Sequence, residues 1–128
     1  MRIQRHDAIV KYIGRGIVRS GYDVSYEPKL QTAEGLRKPD IVAVIGRTAM
    51  IVDAQVVSEQ SNLNRAHKLK KDYYGENPDL TIKIREKWGV THNLYSTATL
   101  SCRGLWSPQS AGDLLRLGII RKKDLSVV

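Results

Sequence analysis

The spacing of apolar side chains predicts one helix and one short strand at the start of the chain. Residues 3 to 20 carry apolar positions at helical spacing with basic residues elsewhere, so we expect an amphipathic helix that ends near Gly21. Residues 22 to 26 alternate and stop before Pro28, which predicts a strand. We expect residues 29 to 38 to form a loop.

Two longer apolar runs predict a β-hairpin. Residues 40 to 45 and 48 to 57 are rich in β-branched side chains, and Gly46-Arg47 between them is a two-residue turn with Gly first, as type II′ turns prefer. Both runs are apolar on both faces, a pattern typical of strands covered on each side. The predicted fold class is therefore α/β, with a mixed sheet flanked by helices on both faces.

The second half of the chain predicts two or three helices and one strand. Ser61-Asn62 can cap a helix over residues 63 to 74. Residues 78 to 88 fit a helix beginning with proline or a strand, and we favour the helix. Residues 93 to 102 alternate as in a strand, and residues 111 to 117 are predicted to form a short helix.

Length and composition indicate one folded domain. The 128 residues contain 41% hydrophobic positions, no internal repeat and no linker rich in Pro, Gly or Ser, so we assign residues 1–128 to a single domain. The abrupt start and end predict that it was excised from a longer polypeptide. Cys102 is the only cysteine, which excludes an internal disulfide and favours a reducing intracellular setting. We expect Cys102, like Trp88, to lie in the core.

Hydropathy and charge indicate which class of partner the chain binds. The longest apolar run, residues 41 to 45, is too short to span a bilayer, so no membrane partner is expected. Lys and Arg number 21 against 13 Asp and Glu, a net charge of +8, which suits a polyanion such as nucleic acid. The basic run at residues 121 to 123 is predicted to be solvated or to contact phosphate.

Two acidic residues stand out in the otherwise apolar hairpin. If Gly46-Arg47 forms the turn, Asp40 lies directly opposite Asp53 on the same face of the sheet. Opposed like charges are destabilising, so we expect a cation between them. Mg²⁺ or Mn²⁺ fits, because hard divalent ions prefer carboxylate oxygens and take further ligands from water and phosphate. The alternative is a strand-end acid beside one that pairs with Arg or Lys.

The helix over residues 63 to 74 contains a second unusual position. Helical spacing puts Lys70 on one face with Ala66 and with Tyr73 or Tyr74, where an apolar residue is expected. Lys70 either extends its ammonium to water or places it beside a scissile phosphate and the attacking water. His67 lies on the same side and is predicted to be solvated or to face nucleic acid.

Several short motifs follow one another along the chain: Arg5-His6-Asp7, Glu27-Pro28, Lys38-Pro39-Asp40, Asp53, Ala66-x3-Lys70-x2-Tyr73 and Arg103-Gly104-Leu105-Trp106. Their order resembles the restriction-like endonuclease domain of site-specific non-LTR retrotransposon proteins, a branch of the PD-(D/E)XK nucleases. The superfamily's usual lysine, two positions after the second acid, is replaced by Gln55, and the retrotransposon branch is similar in carrying its lysine on the following helix.

The resemblance implies a PD-(D/E)XK restriction-endonuclease-like core and metal-dependent nicking of DNA that leaves a 3′ hydroxyl to prime reverse transcription. Asp40 and Asp53 would hold Mg²⁺ or Mn²⁺, Lys70 would assist the nucleophile, and Glu27 would add a ligand or an outer contact. Its partners would be double-stranded DNA and, in the full-length protein, a reverse transcriptase domain and element RNA. A nuclear location and a monomer or weak dimer are expected.

Several basic and aromatic residues are candidates for DNA contact, each with an alternative. Arg5 and His6 contact phosphate or cap the first helix. Lys68 and Lys71 contact DNA or compete with Lys70 for the catalytic role. Trp106, after Arg103, stacks on a base or packs in the core.

Two other functions fit the same features. One is a structure-specific nuclease similar to a Holliday junction resolvase, which would cut four-way junctions as a tight dimer. The other is a DNA-binding module that has lost catalysis, which Gln55 would indicate if Lys70 does not reach the metal. For the isolated chain we expect weak, nearly nonspecific nicking and strong salt dependence, because phosphate contacts supply affinity and base contacts supply specificity.

Overall fold

The computed structural model describes residues 2–126, and Met1, Val127 and Val128 lie outside that range. The elements in chain order are α1 (Arg2–Arg19), β1 (Asp23–Tyr26), β2 (Leu30–Thr32), β3 (Gly35–Arg37), β4 (Ile41–Ile45), β5 (Thr48–Val57), α2 (Leu63–Gly75), α3 (Pro78–Trp88), β6 (His92–Ser101), α4 (Pro108–Arg116) and a 3₁₀ turn (Lys122–Ser126).

The main sheet has four strands in the order β1-β4-β5-β6. The β1–β4 and β4–β5 pairs are antiparallel, whereas β5 and β6 run parallel and are joined through α2 and α3. Gly46 has φ 56°, as the first position of a type II′ turn requires, and Ile45 pairs with Thr48. The predicted mixed sheet and the hairpin register are therefore confirmed.

Helices pack on both faces of this sheet, as the two-sided apolar strands predict. On one face, Ile13 and Ile17 of α1 and Leu114 of α4 are fully buried in one apolar cluster. On the other face, Leu80 and Ile84 of α3 are fully buried in a second cluster. The sheet thus forms the middle layer of the α/β fold.

The predicted helices also form, and their caps explain where they begin. The Asn62 side chain accepts a hydrogen bond from the Arg65 amide at the start of α2. The Asn77 side chain accepts one from the Leu80 amide, and Pro78 stands at the first turn of α3. Residues 78 to 88 are therefore a helix, the alternative that the sequence favoured.

The loop predicted for residues 29 to 38 is wrong, because β2 and β3 pair there as a small antiparallel hairpin. The hairpin is anchored to the start of α3. Asn77 Nδ2 donates to Thr32 Oγ1 at 3.3 Å, and the Ala33 amide donates to Asp79 Oδ2 at 2.7 Å. Strands of three residues are too short to give a recognisable alternation, and tertiary contacts stabilise this pair.

The prediction that Cys102 is buried is also wrong. β6 ends at the buried Ser101, and the chain turns away through Gly104 (φ 87°), which leaves Cys102 exposed. Trp88 and Trp106 are half-buried, and each packs against one of the two apolar clusters. No helix within residues 2–126 has the length and apolar character that a bilayer crossing requires.

Candidate functional site

Asp40 and Asp53 lie side by side at the end of the β4–β5 ladder. The Asp40 amide donates to Asp53 Oδ1 at 2.8 Å, and the Ala54 amide donates to Asp40 Oδ2 at 2.8 Å. The two residues are only 8% and 6% exposed, and both line one cavity of about 460 Å³, hereafter the aspartate cavity. The predicted cross-strand pairing therefore brings the two carboxylates together.

The proximity of the carboxylates makes their simultaneous ionisation unfavourable. Burial, followed by the negative charge of Asp40, raises the pKa of Asp53 to about 6. A bound cation would remove that repulsion, and two carboxylates are the donor set that Mg²⁺ or Mn²⁺ prefers. The acidic pair therefore fits a hard divalent ion.

Lys70 is the lysine of α2 that reaches this pair. Its Nζ lies 3.5 Å from Asp53 Oδ2, and its side chain is 36% exposed, so the ammonium stands at the mouth of the cavity. Lys68 pairs with Asp72 at 2.6 Å, and Lys71 lies 3.7 Å from Asp113. The geometry therefore separates Lys70 from its two neighbours, whose DNA contacts stay predictions.

Two further groups hold the carboxylates, and sequence reasoning missed both contacts. Tyr74 Oη donates to Asp53 Oδ1 at 3.4 Å, and burial, with the charge of Asp53, raises the pKa of Tyr74. His6 Nε2 donates to Asp40 Oδ2 at 3.0 Å. Burial lowers the pKa of His6, but the charge and hydrogen bond of Asp40 outweigh it, so the pKa is raised. Helical spacing did place Tyr73 or Tyr74 on the same face of α2 as Lys70. Nothing in the sequence predicted that His6 lies beside Asp40.

Gln55 lies on β5, two positions after Asp53. Its Nε2 donates to the Ala66 carbonyl at 2.9 Å and to Thr99 Oγ1 at 2.8 Å, and it also lines the aspartate cavity. These bonds join β5 to α2 and to β6. Gln55 thereby fixes the helix that carries Lys70.

Glu27 lies near Asp40, in a separate cavity of about 360 Å³ that His6 and Asp40 also line and that does not include Asp53. Within residues 2–126, no group of three or more His, Cys, Asp or Glu side chains is arranged to hold a metal ion. Apart from any contribution of Glu27, a cation on Asp40 and Asp53 would take its other ligands from water and substrate. The role of Glu27 as a ligand stays a prediction.

His67 is buried, so the prediction of a solvated or DNA-facing histidine is wrong. It is 3% exposed, with Nδ1 at 2.6 Å from Thr97 Oγ1 and Nε2 at 3.5 Å from Asp113 Oδ2. Because α2 packs against both β6 and α4, this face of the helix is covered. Burial lowers the pKa of His67.

The other predicted DNA contacts lie away from the two aspartates or have partners within the fold. The Arg5 guanidinium donates to the Cys102 carbonyl, which ties α1 to the turn after β6. Arg103 is exposed, and its backbone amide donates to Glu59 Oε1 at 2.9 Å. Trp106 packs against the apolar cluster of α1 and α4. Their DNA contacts stay predictions.

No protein-family model matches the chain. It is 34% identical over 128 residues to the retrovirus-related Pol polyprotein from type-2 retrotransposable element R2DM of Drosophila melanogaster, and 37% identical over 117 residues to that from type-1 retrotransposable element R2 of Bradysia coprophila. These matches cover 99% and 91% of this chain but only 12% and 13% of the relatives.

One solved structure, of a protein of unknown function, AF1548, matches with a TM-score of 0.47 and 16% identity, covering 85% of this chain and 54% of the other. The sequence matches are much stronger. The homologues of this chain are therefore Pol polyproteins of R2 retrotransposable elements, of which it corresponds to a short segment.

Proposed function

We propose that the chain is a metal-dependent DNA endonuclease domain that nicks one target strand and leaves a 3′ hydroxyl to prime reverse transcription during retrotransposition. One observation carries the proposal: two buried aspartates, one immediately before β4 and one on the adjacent strand β5, share a cavity with Lys70 of the following helix, 3.5 Å from Asp53. A net charge of +8 suits a DNA substrate.

The chemistry follows from the donor set. Asp40 and Asp53 would hold Mg²⁺ or Mn²⁺, which when bound activates water and stabilises charge on a phosphodiester. Lys70 places a positive charge next to that position and offsets the charge that grows on the phosphate in the transition state. Tyr74 and His6 orient the two carboxylates through their hydrogen bonds. The buried pair thereby stays preorganised.

The relatives supply the biological setting. Because they are Pol polyproteins of retrotransposable elements, we propose that this domain works beside a reverse transcriptase domain and element RNA, on double-stranded target DNA in the nucleus. A PD-(D/E)XK-like core is part of the same proposal. The mixed sheet, the acidic pair on adjacent strands and the helix-borne lysine support it.

Relaxation of supercoiled plasmid tests the proposal. The wild-type chain should nick plasmid in the presence of Mg²⁺ or Mn²⁺, and nicking should stop when chelator is added. Asp40→Ala, Asp53→Ala and Lys70→Ala should each lower the rate by a factor of 100 or more, on the order of the loss expected for key electrostatic groups. Lys87→Ala, a control that removes an exposed lysine of α3 outside the aspartate cavity, should stay within a few-fold of wild type.

Two outcomes would point elsewhere. DNA binding without metal-dependent nicking by the wild-type chain would indicate a binding module. Cutting confined to four-way junctions by a stable dimer would indicate a resolvase.

A further inference from the structure

The aspartate cavity adjoins a second cavity whose wall carries an exposed aromatic ring. This second cavity, hereafter the aromatic cavity, measures about 460 Å³ and is lined by Gln55, Ala66, Leu69, Lys70, Tyr73 and Tyr74. It shares Gln55, Lys70 and Tyr74 with the aspartate cavity. A strand whose phosphate lies at the aspartates can therefore pass Lys70 and place its neighbouring nucleotide in the aromatic cavity.

Tyr73 and Leu69 present apolar surface in this cavity. They lie one helical turn apart on α2 and are 48% and 59% exposed. The neighbouring Tyr74, by contrast, faces the core and is 6% exposed. The side chains of Tyr73 and Leu69 are therefore accessible to a ligand that enters the aromatic cavity.

Cations flank the Tyr73 ring. The Arg37 guanidinium carbon lies 4.5 Å from the ring centroid, and Lys70 Nζ lies 5.7 Å from it. Arg37 is held by the β2–β3 hairpin, and its side chain is only 11% exposed, so it fixes the ring against the hairpin. The aromatic surface is thus held in place and positively charged.

The charge of Arg37 is weakly balanced. The acid nearest to it, Glu34, lies 3.8 Å from Nη2, and Arg37 Nε has no hydrogen-bond acceptor within the described part of the chain. A flat aromatic ring beside the two cations Arg37 and Lys70 suits a ligand that combines a planar apolar group with a phosphate. A nucleotide has that composition.

We propose that the aromatic cavity binds an unpaired nucleobase of the DNA strand, stacked on Tyr73, next to the phosphate at the aspartates. This inference rests on the proposed nuclease function, which supplies the position of the phosphate. A base within a continuous duplex has both faces covered by its neighbours, so it cannot stack on a protein side chain until it unstacks. The domain should therefore prefer DNA with an unpaired nucleotide over a fully paired duplex.

The test measures binding rather than cleavage. A duplex with an internal bubble carries 2-aminopurine in the unpaired region, and the matched duplex is fully paired; both are titrated with the chain in chelator. Wild type should bind the bubble about 5- to 100-fold tighter, the range that stacking of a single base supplies, and should quench its fluorescence. Tyr73→Ala should lose both effects.

Three variants separate stacking from other roles of Tyr73. Tyr73→Phe keeps the ring and should keep the preference, whereas Tyr73→Leu keeps apolar bulk against Arg37 and should lose it. Ile82→Ala, which changes an exposed apolar residue of α3, should match wild type. Equal bubble preference in wild type and Tyr73→Ala would overturn the proposal, as would loss of the preference in Tyr73→Phe. The binding assay contains chelator and does not depend on cleavage. Its result can therefore be interpreted even if the chain fails to nick DNA.

Discussion

Lys70 Nζ, on α2, lies 3.5 Å from Asp53 Oδ2, on β5. The ammonium therefore reaches the acidic pair from a helix, while the strand position two residues after Asp53 holds Gln55, whose amide group ties that helix to the sheet. The proposed reaction requires a positive charge at one point in space. Either a helix or a strand can supply this charge, provided that its lysine reaches the same point.

A lysine on the strand should substitute for the one on the helix. Gln55→Lys combined with Lys70→Ala places an ammonium in the same cavity, since Gln55 also lines it. We expect Lys70→Ala to lose nicking and the double variant to regain at least about tenfold of it, somewhat more than 1 kcal/mol of transition-state stabilisation. Plasmid relaxation measures this.

The control for the relocated lysine is a Gln55→Met, Lys70→Ala double variant, which lacks the same amide contacts and carries no charge. Recovery by that variant, or none by the lysine variant while its melting curve shows a folded protein, would contradict a purely electrostatic role of Lys70.

Neutralising Asp53 should stabilise the metal-free protein. Because burial and Asp40 raise the pKa of Asp53 from 3.8 to about 6, the folded state binds that proton more tightly than the unfolded state. The contribution of Asp53 to stability is therefore greatest below about pH 4 and is lost as the pH rises through 6. Asp53→Asn removes the effect and should gain about 1–3 kcal/mol at neutral pH. Urea unfolding at several pH values, with chelator, measures the difference from wild type.

The difference between the two proteins should shrink on acidification, since Asp53 is then neutral in both states. A variant less stable than wild type at neutral pH, or a difference that does not depend on pH, would show that the carboxylate pair is not repulsive. Nicking by Asp53→Asn should be absent at every pH.

The acidic pair could be predicted from sequence because a two-residue turn defines the register of its hairpin. Gly46 fixes the turn, and each step away from it keeps partners opposed, so Asp40 and Asp53 follow by counting. The unusual position of Lys70 on its helix was equally visible, because helical periodicity is local. Both inferences depend on short-range geometry.

The contacts that sequence reasoning missed depend on long-range packing. His6 reaches Asp40 across 34 positions, and His67 is buried by β6 and α4, which are distant in sequence. The β2–β3 hairpin carries Arg37 to Tyr73, but strands of three residues give no periodic signal. None of these contacts follows from the period of a single element.

Burial of His67 should make folding sensitive to acid. Burial lowers the pKa of His67 in the folded state, so the unfolded state binds the proton more tightly and stability falls as the pH drops below about 6.5. His67→Gln should remove this part of the pH dependence and reduce stability at neutral pH by about 1–3 kcal/mol, through altered hydrogen bonds to Thr97 and Asp113.

The matched control is His92→Gln, which changes an exposed histidine at the start of β6. It should leave both the stability and its slope near wild type in urea unfolding at neutral and mildly acidic pH. An unchanged acid sensitivity in His67→Gln would count against a neutral buried imidazole.

Tyr74 should contribute to positioning more than to folding. Tyr74→Phe keeps the ring in the apolar cluster but removes the hydroxyl that donates to Asp53 Oδ1 at 3.4 Å. We expect the free energy of unfolding to fall by no more than about 0.5–1.5 kcal/mol. The nicking rate should fall about 2- to 10-fold. Parallel unfolding and plasmid assays check this, and nicking at the wild-type rate would remove Tyr74 from the site.

In the proposed site, Asp40 and Asp53 together hold a divalent cation. The most direct measurement is titration of the chain with Mn²⁺, followed by the electron paramagnetic resonance signal of free Mn²⁺, for wild type, Asp40→Asn and Asp53→Asn. The wild-type chain should bind Mn²⁺ and lower the signal of the free ion, at protein concentrations where neither variant lowers it. Identical titration curves for all three proteins would contradict the claim.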